Sequence, residues 1–145
     1  MYIRDVLKAK SHEVVSVKAD EPLKETFGRF AAAKIRSLAV TSHGVLVGML
    51  TLRDVIAFLE RHGAAALEMP VDDAMTGDVV RIRPDASLEE AAAIFQSNDF
   101  NHLPVEDDEG RLVGIVTPAD VLARRVQEVE DGAAYLRNYI AGMYH

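Results

Sequence analysis

Gly48-Met49-Leu50-Thr51-Leu52-Arg53-Asp54 and Gly114-Ile115-Val116-Thr117-Pro118-Ala119-Asp120 share one pattern: a glycine, two apolar residues, a threonine, and an aspartate three places further on. In each stretch an apolar run suited to a strand gives way at the threonine to helical periodicity, so the pattern marks a strand-to-helix corner. Threonine is a good helix N-cap, an acid three residues later completes a capping box, and Pro118 suits a first helical position. The match extends outward from the two corners. At an offset of 66, Gly44 to Asp54 falls on Gly110 to Asp120. One residue is inserted upstream, and at an offset of 65 Glu13 to Val17 falls on Asp78 to Ile82, Asp20 on Asp85, Leu23 on Leu88 and Phe30 on Phe95. About a third of the aligned positions are identical, which makes the chain two copies of one unit. The leaders correspond as well, with Ile3, Asp5 and Leu7 parallel to Val71, Asp73 and Met75.

Within the first copy, Val14, Val15 and Val17 form a β-branched run, and Asp20-Glu21-Pro22 opens a segment with apolar residues at Leu23, Phe27, Phe30, Ala31 and Ile35, near a 3.6-residue period. Strand then helix is the prediction, and the second copy repeats it, with Ser87 and Glu90 as a capping-box pair. Leu38 to Val40 and Leu103 to Val105 read as strands. Each is followed by a polar turn (Thr41 to Gly44, Glu106 to Gly110) and a further strand, Leu46 to Leu50 or Leu112 to Val116. A helix then follows at Asp54 and at Asp120. The unit is therefore β-α-β-β-α, an α+β fold too small to bury both faces of its sheet alone, so the two copies are expected to pack against each other. The organisation expected is a first repeat over 1–62, a linker over 63–70, a second repeat over 71–125 and a helical extension over 126–145.

After Asp120 and on through the extension, apolar residues stand at Leu122, Val126, Val129, Ala133, Leu136, Ile140 and Met143, a heptad-like seam about 25 residues or roughly 37 Å long. Gly132 predicts a kink or break there, because glycine weakens a helix by about 1 kcal/mol relative to alanine. Tyr135, Tyr139 and Tyr144 add amphipathic contact area, the composition of an interface, and a homodimer is predicted.

Composition narrows the function. The chain has 145 residues, 49% hydrophobic with 6% aromatic, 16 Lys+Arg against 23 Asp+Glu, and no cysteine. A net charge of −7 argues against nucleic acid as a partner. The absence of cysteine removes disulfides, thiolate metal sites and thiol catalysis. The sequence holds neither an 18-residue apolar run nor a charged-then-apolar leader, so the expectation is a cytoplasmic protein without a membrane partner. Its five histidines, His12, His43, His62, His102 and His145, lack metal-ligand spacing, and His43 reads as a turn residue. The acidic run Glu106 to Glu109 lacks the alternating oxygen ligands of a calcium loop and reads as a solvated turn. No nucleophile elbow, Walker loop or paired catalytic carboxylates appear, so no catalytic residue and no enzyme activity are expected.

The corners themselves admit a second role. A helix N-terminus offers unpaired N–H groups and partial positive charge to a phosphate, and the threonine hydroxyl adds a donor. The aspartate would repel that phosphate, but it can grip a neutral diol through two charge-assisted hydrogen bonds. Phosphate and diol together describe a ribonucleotide. The alternative is a ligand-free dimerisation scaffold in which Thr51, Thr117, Asp54 and Asp120 are helix caps only.

Over residues 3 to 125 the chain resembles a tandem pair of cystathionine-β-synthase (CBS) domains, a Bateman module, whose hallmark Gly-h-h-Thr-x-x-Asp (h apolar) stands at the same place in both copies. The resemblance implies two β-α-β-β-α repeats packed sheet to sheet in a pseudo-two-fold pair. It also implies a homodimer, and a regulatory module that binds AMP, ADP or ATP, with NADH or S-adenosylmethionine as other ligands of the family, and passes occupancy to an effector protein. Carried over by position, one site comprises Val15, Arg36, Ala39, Thr51, Arg53 and Asp54, and the other Val80, His102, Pro104, Thr117 and Asp120. In this assignment Asp54 and Asp120 hold ribose hydroxyls and Thr51 and Thr117 contact phosphate. Val15, Val80, Ala39 and Pro104 line adenine slots, while Arg36 and His102 point toward the cleft. The family's usual proline is present as Pro104 and replaced by Ala39. Arg53 in the first motif, against Ala119 in the second, predicts clefts unequal in phosphate preference.

Overall fold

A computed structural model describes residues 1–10, 14–33 and 35–143; Glu13, where the sequence match between the repeats begins, and His12, Tyr144 and His145 lie outside them. In chain order the elements are α1 (Ile3–Ala9), β1 (Ser16–Lys18), a 3-10 turn (Leu23–Thr26), α2 (Phe27–Ala33), β2 (Ser37–Ser42), β3 (Val45–Thr51) and α3 (Leu52–His62). The expected linker is a 3-10 segment (Gly63–Glu68), followed by α4 (Val71–Ala74), α5 (Leu88–Ser97), β4 (Leu103–Glu106), β5 (Leu112–Val116) and α6 (Pro118–Met143).

The first repeat forms a three-stranded sheet in the order β1-β2-β3, parallel between β1 and β2 and antiparallel between β2 and β3. Its hairpin turns on His43 and Gly44, at φ 54° and 83°. Two positive φ values are what a two-residue type I′ turn requires, so His43 is a turn residue as its sequence context suggests.

The second repeat keeps this plan with one loss. Its counterpart of β1 shrinks to a single parallel bridge, Ile82 to Val105, 65 residues beyond the Val17–Val40 pair of the first repeat. The Ile82 amide donates to the Pro104 carbonyl at 3.0 Å, and the Glu106 amide donates to the Ile82 carbonyl at 2.9 Å. Two prolines stop the ladder on either side. Pro104 stands where the first repeat has Ala39, and Pro84 stands where it has Ala19, whose amide donates to the Thr41 carbonyl at 2.9 Å. Neither proline has an N–H to give.

Each repeat's core is closed by the other repeat's leader. Val71 and Ala74 of α4 are buried with Val17, Leu38, Leu50 and Phe58 of the first repeat. Ile3 and Val6 of α1 are buried with Leu88, Leu103, Val105 and Val116 of the second. A third cluster joins the sheets face to face, with Ala39, Leu46 and Met49 against Val79, Leu112 and Ile115.

The C-terminal helix differs from the sequence expectation. It runs unbroken for 26 residues through Gly132, without the predicted break. A glycine costs a helix only about 1 kcal/mol, and Ala133, Ala134, Leu136 and Arg137 beyond it are good helix formers. Glu128 pairs with the N-terminal ammonium at 3.2 Å. Beyond it Tyr135, Leu136, Tyr139, Ile140 and Met143 are all exposed.

Candidate functional site

The two corners form as the capping chemistry dictates. The Thr51 amide donates to Asp54 Oδ2 at 2.9 Å and the Asp54 amide donates to Thr51 Oγ1 at 3.1 Å. At the second corner the Thr117 amide donates to Asp120 Oδ2 at 2.9 Å and the Asp120 amide to Thr117 Oγ1 at 3.2 Å. An aspartate thus closes the box in both copies, although it is shorter than the usual glutamate.

The motif glycines have a structural reason that the sequence did not reveal. A Cβ on Gly48 would lie 2.5 Å from the Thr76 carbonyl oxygen and 2.8 Å from Met75 Sδ. A Cβ on Gly114 would collide with the Leu7 side chain. Leu7 and Met75 are equivalent leader residues, so each glycine lets the crossing leader lie against the strand that carries the motif.

Two cavities flank the corners, and both are composite. One, of about 460 Å³, sets Val15 and Ile35 of the first repeat against Ile115 and Thr117 of the second. The other, of about 340 Å³, sets Val80, Phe100 and Pro104 of the second repeat against Met49 and Thr51 of the first. Both volumes lie in the range of about 300–1,000 Å³ usual for small-molecule sites. His102 lines both cavities.

The residues inferred from the sequence are therefore grouped differently in space. Val15 belongs with Thr117, not with Thr51, while Thr51 belongs with Val80 and Pro104. Among the described residues, Arg36, Ala39 and Arg53 line neither cavity. The side chain of Ala39 is consumed by the buried junction between the sheets. Arg53 is exposed, and so is Arg36, whose carbonyl accepts from the Leu52 amide at 3.0 Å. Asp54 and Asp120 are not themselves lining residues, but each is hydrogen-bonded to two that are.

Those partners distinguish the two carboxylates. Asp54 Oδ1 accepts from Thr76 Oγ1 at 3.3 Å, a neutral and long contact. Asp120 Oδ2 accepts from Lys10 Nζ at 2.7 Å, and Lys10 also donates to the Ile115 carbonyl at 2.8 Å. Burial would raise the Asp120 carboxyl, but the Lys10 ammonium and the Thr117 amide and hydroxyl outweigh it and hold the group below its ordinary value. Burial, and then the charge of Lys10, push the His102 imidazole below its own ordinary value against the pull of Asp120.

Lys10 was not among the residues inferred from the sequence. It lies 110 positions from Asp120 and outside both motifs. The available signal is that α1 ends at Ala9, one residue before it, and that α1 packs with the second repeat.

Comparison with known proteins adds to this geometry. The CBS domain family model matches residues 3–61 and 71–126. The chain belongs to the CBS domain family. Among solved structures, a CBS-domain containing protein from Agrobacterium tumefaciens is 36% identical with a TM-score of 0.70, the match covering 86% of this chain and 98% of that one. CBSX2 of Arabidopsis thaliana, in complex with AMP, is 25% identical with a TM-score of 0.75, over 87% and 96% of the two chains. The cytosolic domain of the magnesium channel MgtE, in complex with ATP, is 36% identical with a TM-score of 0.64, over 75% and 44%. The inosine-5'-monophosphate dehydrogenase of Methanocaldococcus jannaschii is 36% identical over 114 residues, 78% of this chain but 22% of that protein. This CBS pair thus spans about a fifth of that curated relative's length. Among the described residues no helix is long and apolar enough to cross a membrane.

Proposed function

We propose that this CBS pair is a non-catalytic regulatory module that binds an adenosine nucleotide of the AMP, ADP or ATP class in its two composite clefts. The observation that carries the reading is the placement of the motif carboxylates. Each uses Oδ2 to cap its own helix and is bonded to two residues of a ligand-sized cavity. Oδ1 of Asp120 has no hydrogen-bond partner among the described residues, and Oδ1 of Asp54 has only the Thr76 hydroxyl. A ribose diol would satisfy an oxygen of this kind, and the threonine at the helix start would meet phosphate. The complexes of CBSX2 with AMP and of MgtE with ATP support the ligand class. Because α3 and α6 begin at the carboxylates, ligand contact there can bias the position of two helices whose outer faces are exposed. Such a bias requires differential affinity for the two positions.

The closed capping boxes favour a second reading, in which the carboxylates serve only the helices and the pair is an assembly module. A melting scan separates the two. At 100 times its dissociation constant a ligand adds about 2.7 kcal/mol, a rise of several degrees. A rise with millimolar AMP, ADP or ATP supports the sensor, and an unmoved transition with all three supports the scaffold.

The exposed apolar face of α6 fits a homodimer contact. Truncation after Arg125 is expected to shift light scattering toward a monomer; an unchanged dimer would remove the helix from that contact.

A further inference from the structure

The two clefts differ in charge. Among the described residues, the cavity beside Thr117 is lined by Lys10 and by no carboxylate, whereas the cavity beside Thr51 is lined by Asp78 and by no lysine or arginine; His102 lines both. Counting the motif acid behind each lining, among the described residues the first cleft combines Lys10 with Asp120, formally neutral, and the second combines Asp78 with Asp54, formally −2. Arg53, the cation that the sequence places in the first motif, lies outside both cavities. The asymmetry therefore has the sign opposite to the one the motif suggests.

From this arrangement, and resting on the adenosine reading above, we propose that Lys10 makes the Thr117 cleft the site for the more highly charged nucleotide, a di- or triphosphate, and that the Thr51 cleft takes adenosine or a monophosphate. An ammonium has three N–H donors. Lys10 commits two of them, to Asp120 Oδ2 and the Ile115 carbonyl, which leaves one for a ligand oxygen. The same two bonds hold the ammonium in place, so its orientation is fixed before the ligand arrives. Asp120 keeps Oδ1 for the sugar, and one cleft thus offers separate groups to a diol and to an anion. In the other cleft the equivalent contact is Thr76 Oγ1 on Asp54, a neutral donor, with the exposed Asp78 nearby to repel added phosphates.

Calorimetric titration of the whole chain with adenosine, AMP and ATP, together with crystals soaked in ATP, tests this. ATP is expected in the Thr117 cleft, and K10Q is expected to weaken ATP about 10- to 100-fold, the loss of one charge-assisted hydrogen bond, while adenosine affinity stays nearly constant. K10R, which keeps the charge, should retain most of the ATP affinity. D78N, far from Lys10 in sequence, should strengthen ATP at the Thr51 cleft about two- to fivefold and guards against a K10Q variant that fails to fold. ATP density in the Thr51 cleft alone, or equal weakening of adenosine and ATP by K10Q, overturns the proposal and leaves the adenosine reading intact. Failure of the wild-type chain to bind any of the three compounds overturns both.

Discussion

The two strand-to-helix corners are nearly the same sentence in sequence and quite different sites in space. At the first corner the motif strand meets mainly backbone, with the Thr76 carbonyl and Gly77 Cα crowding Gly48 beside the Met75 sulfur. The Met49 and Thr76 backbones exchange hydrogen bonds of 3.0 and 2.9 Å. At the second corner the motif strand meets side chains. Leu7 covers Gly114, and Lys10 reaches both the Ile115 carbonyl and Asp120. A duplicated unit has thus kept its capping chemistry and diverged in what the crossing leader brings to it. The lesson is that the site's character is set by the leader, which the motif does not contain.

The sharpest way to break this comparison is at the glycines. Gly48→Ala pushes a methyl group into backbone that cannot rotate away, and is expected to cost about 3 kcal/mol. Gly114→Ala meets the mobile end of a leucine and is expected to cost about 1 kcal/mol. Urea unfolding of both variants measures the difference, and equal losses would mean that the two crossings are equally yielding.

The carboxylates come next. Asp54→Ala removes a helix cap and is expected to destabilise by about 1 kcal/mol. Asp120→Ala removes the same cap and also strands the partly buried Lys10 ammonium, so about 2–3 kcal/mol is expected. If Lys10→Met restores part of that stability in the Asp120→Ala background, the excess belongs to the ion pair. No recovery would assign the excess elsewhere.

Acid should act on the second corner in two steps, both of modest size. The folded value of His102 lies below the unfolded value of about 6.5, so its contribution is complete above that pH and is lost as pH falls toward the folded value. Asp120 is likewise depressed. Its contribution is complete above the unfolded value of about 3.9 and disappears as pH falls through the lower folded one. Denaturation midpoints measured from pH 7.5 to 3 should therefore fall in both windows. His102→Asn should flatten the upper window and Asp120→Asn the lower, and a variant that leaves its window unchanged would contradict the assignment.

Much of this molecule is legible in its sequence, and the parts that are not share a cause. The repeat, the hairpin at His43-Gly44, the caps at Thr51, Ser87 and Thr117, and the helix start at Pro118 all rest on interactions within a few residues. Local rules suffice for them. The second repeat's first strand, expected on the same footing as that of the first, is reduced to one bridge because Pro84 and Pro104 lack the two donors that Ala19 and Ala39 supply in the first repeat. What local rules miss is the crossing. Nothing near Val15 says that it will face Thr117 and not Thr51, and nothing near Lys10 points to Asp120. Reading sites repeat by repeat therefore finds the chemical groups but assigns some of them to the wrong partners. Ala39 shows the related error: it matches the position of Pro104, but its side chain is consumed by the junction of the two sheets.

The central claim is that Asp54 and Asp120 grip a ribose diol while capping their helices. Side-by-side titration of the wild-type chain with AMP and with 2′,3′-dideoxyadenosine monophosphate tests it most directly, because the two ligands share base and phosphate and differ only in the hydroxyls. The account predicts that loss of both hydroxyls weakens binding by about 30-fold or more. Equal affinity for the two compounds would contradict it and leave the carboxylates as helix caps alone.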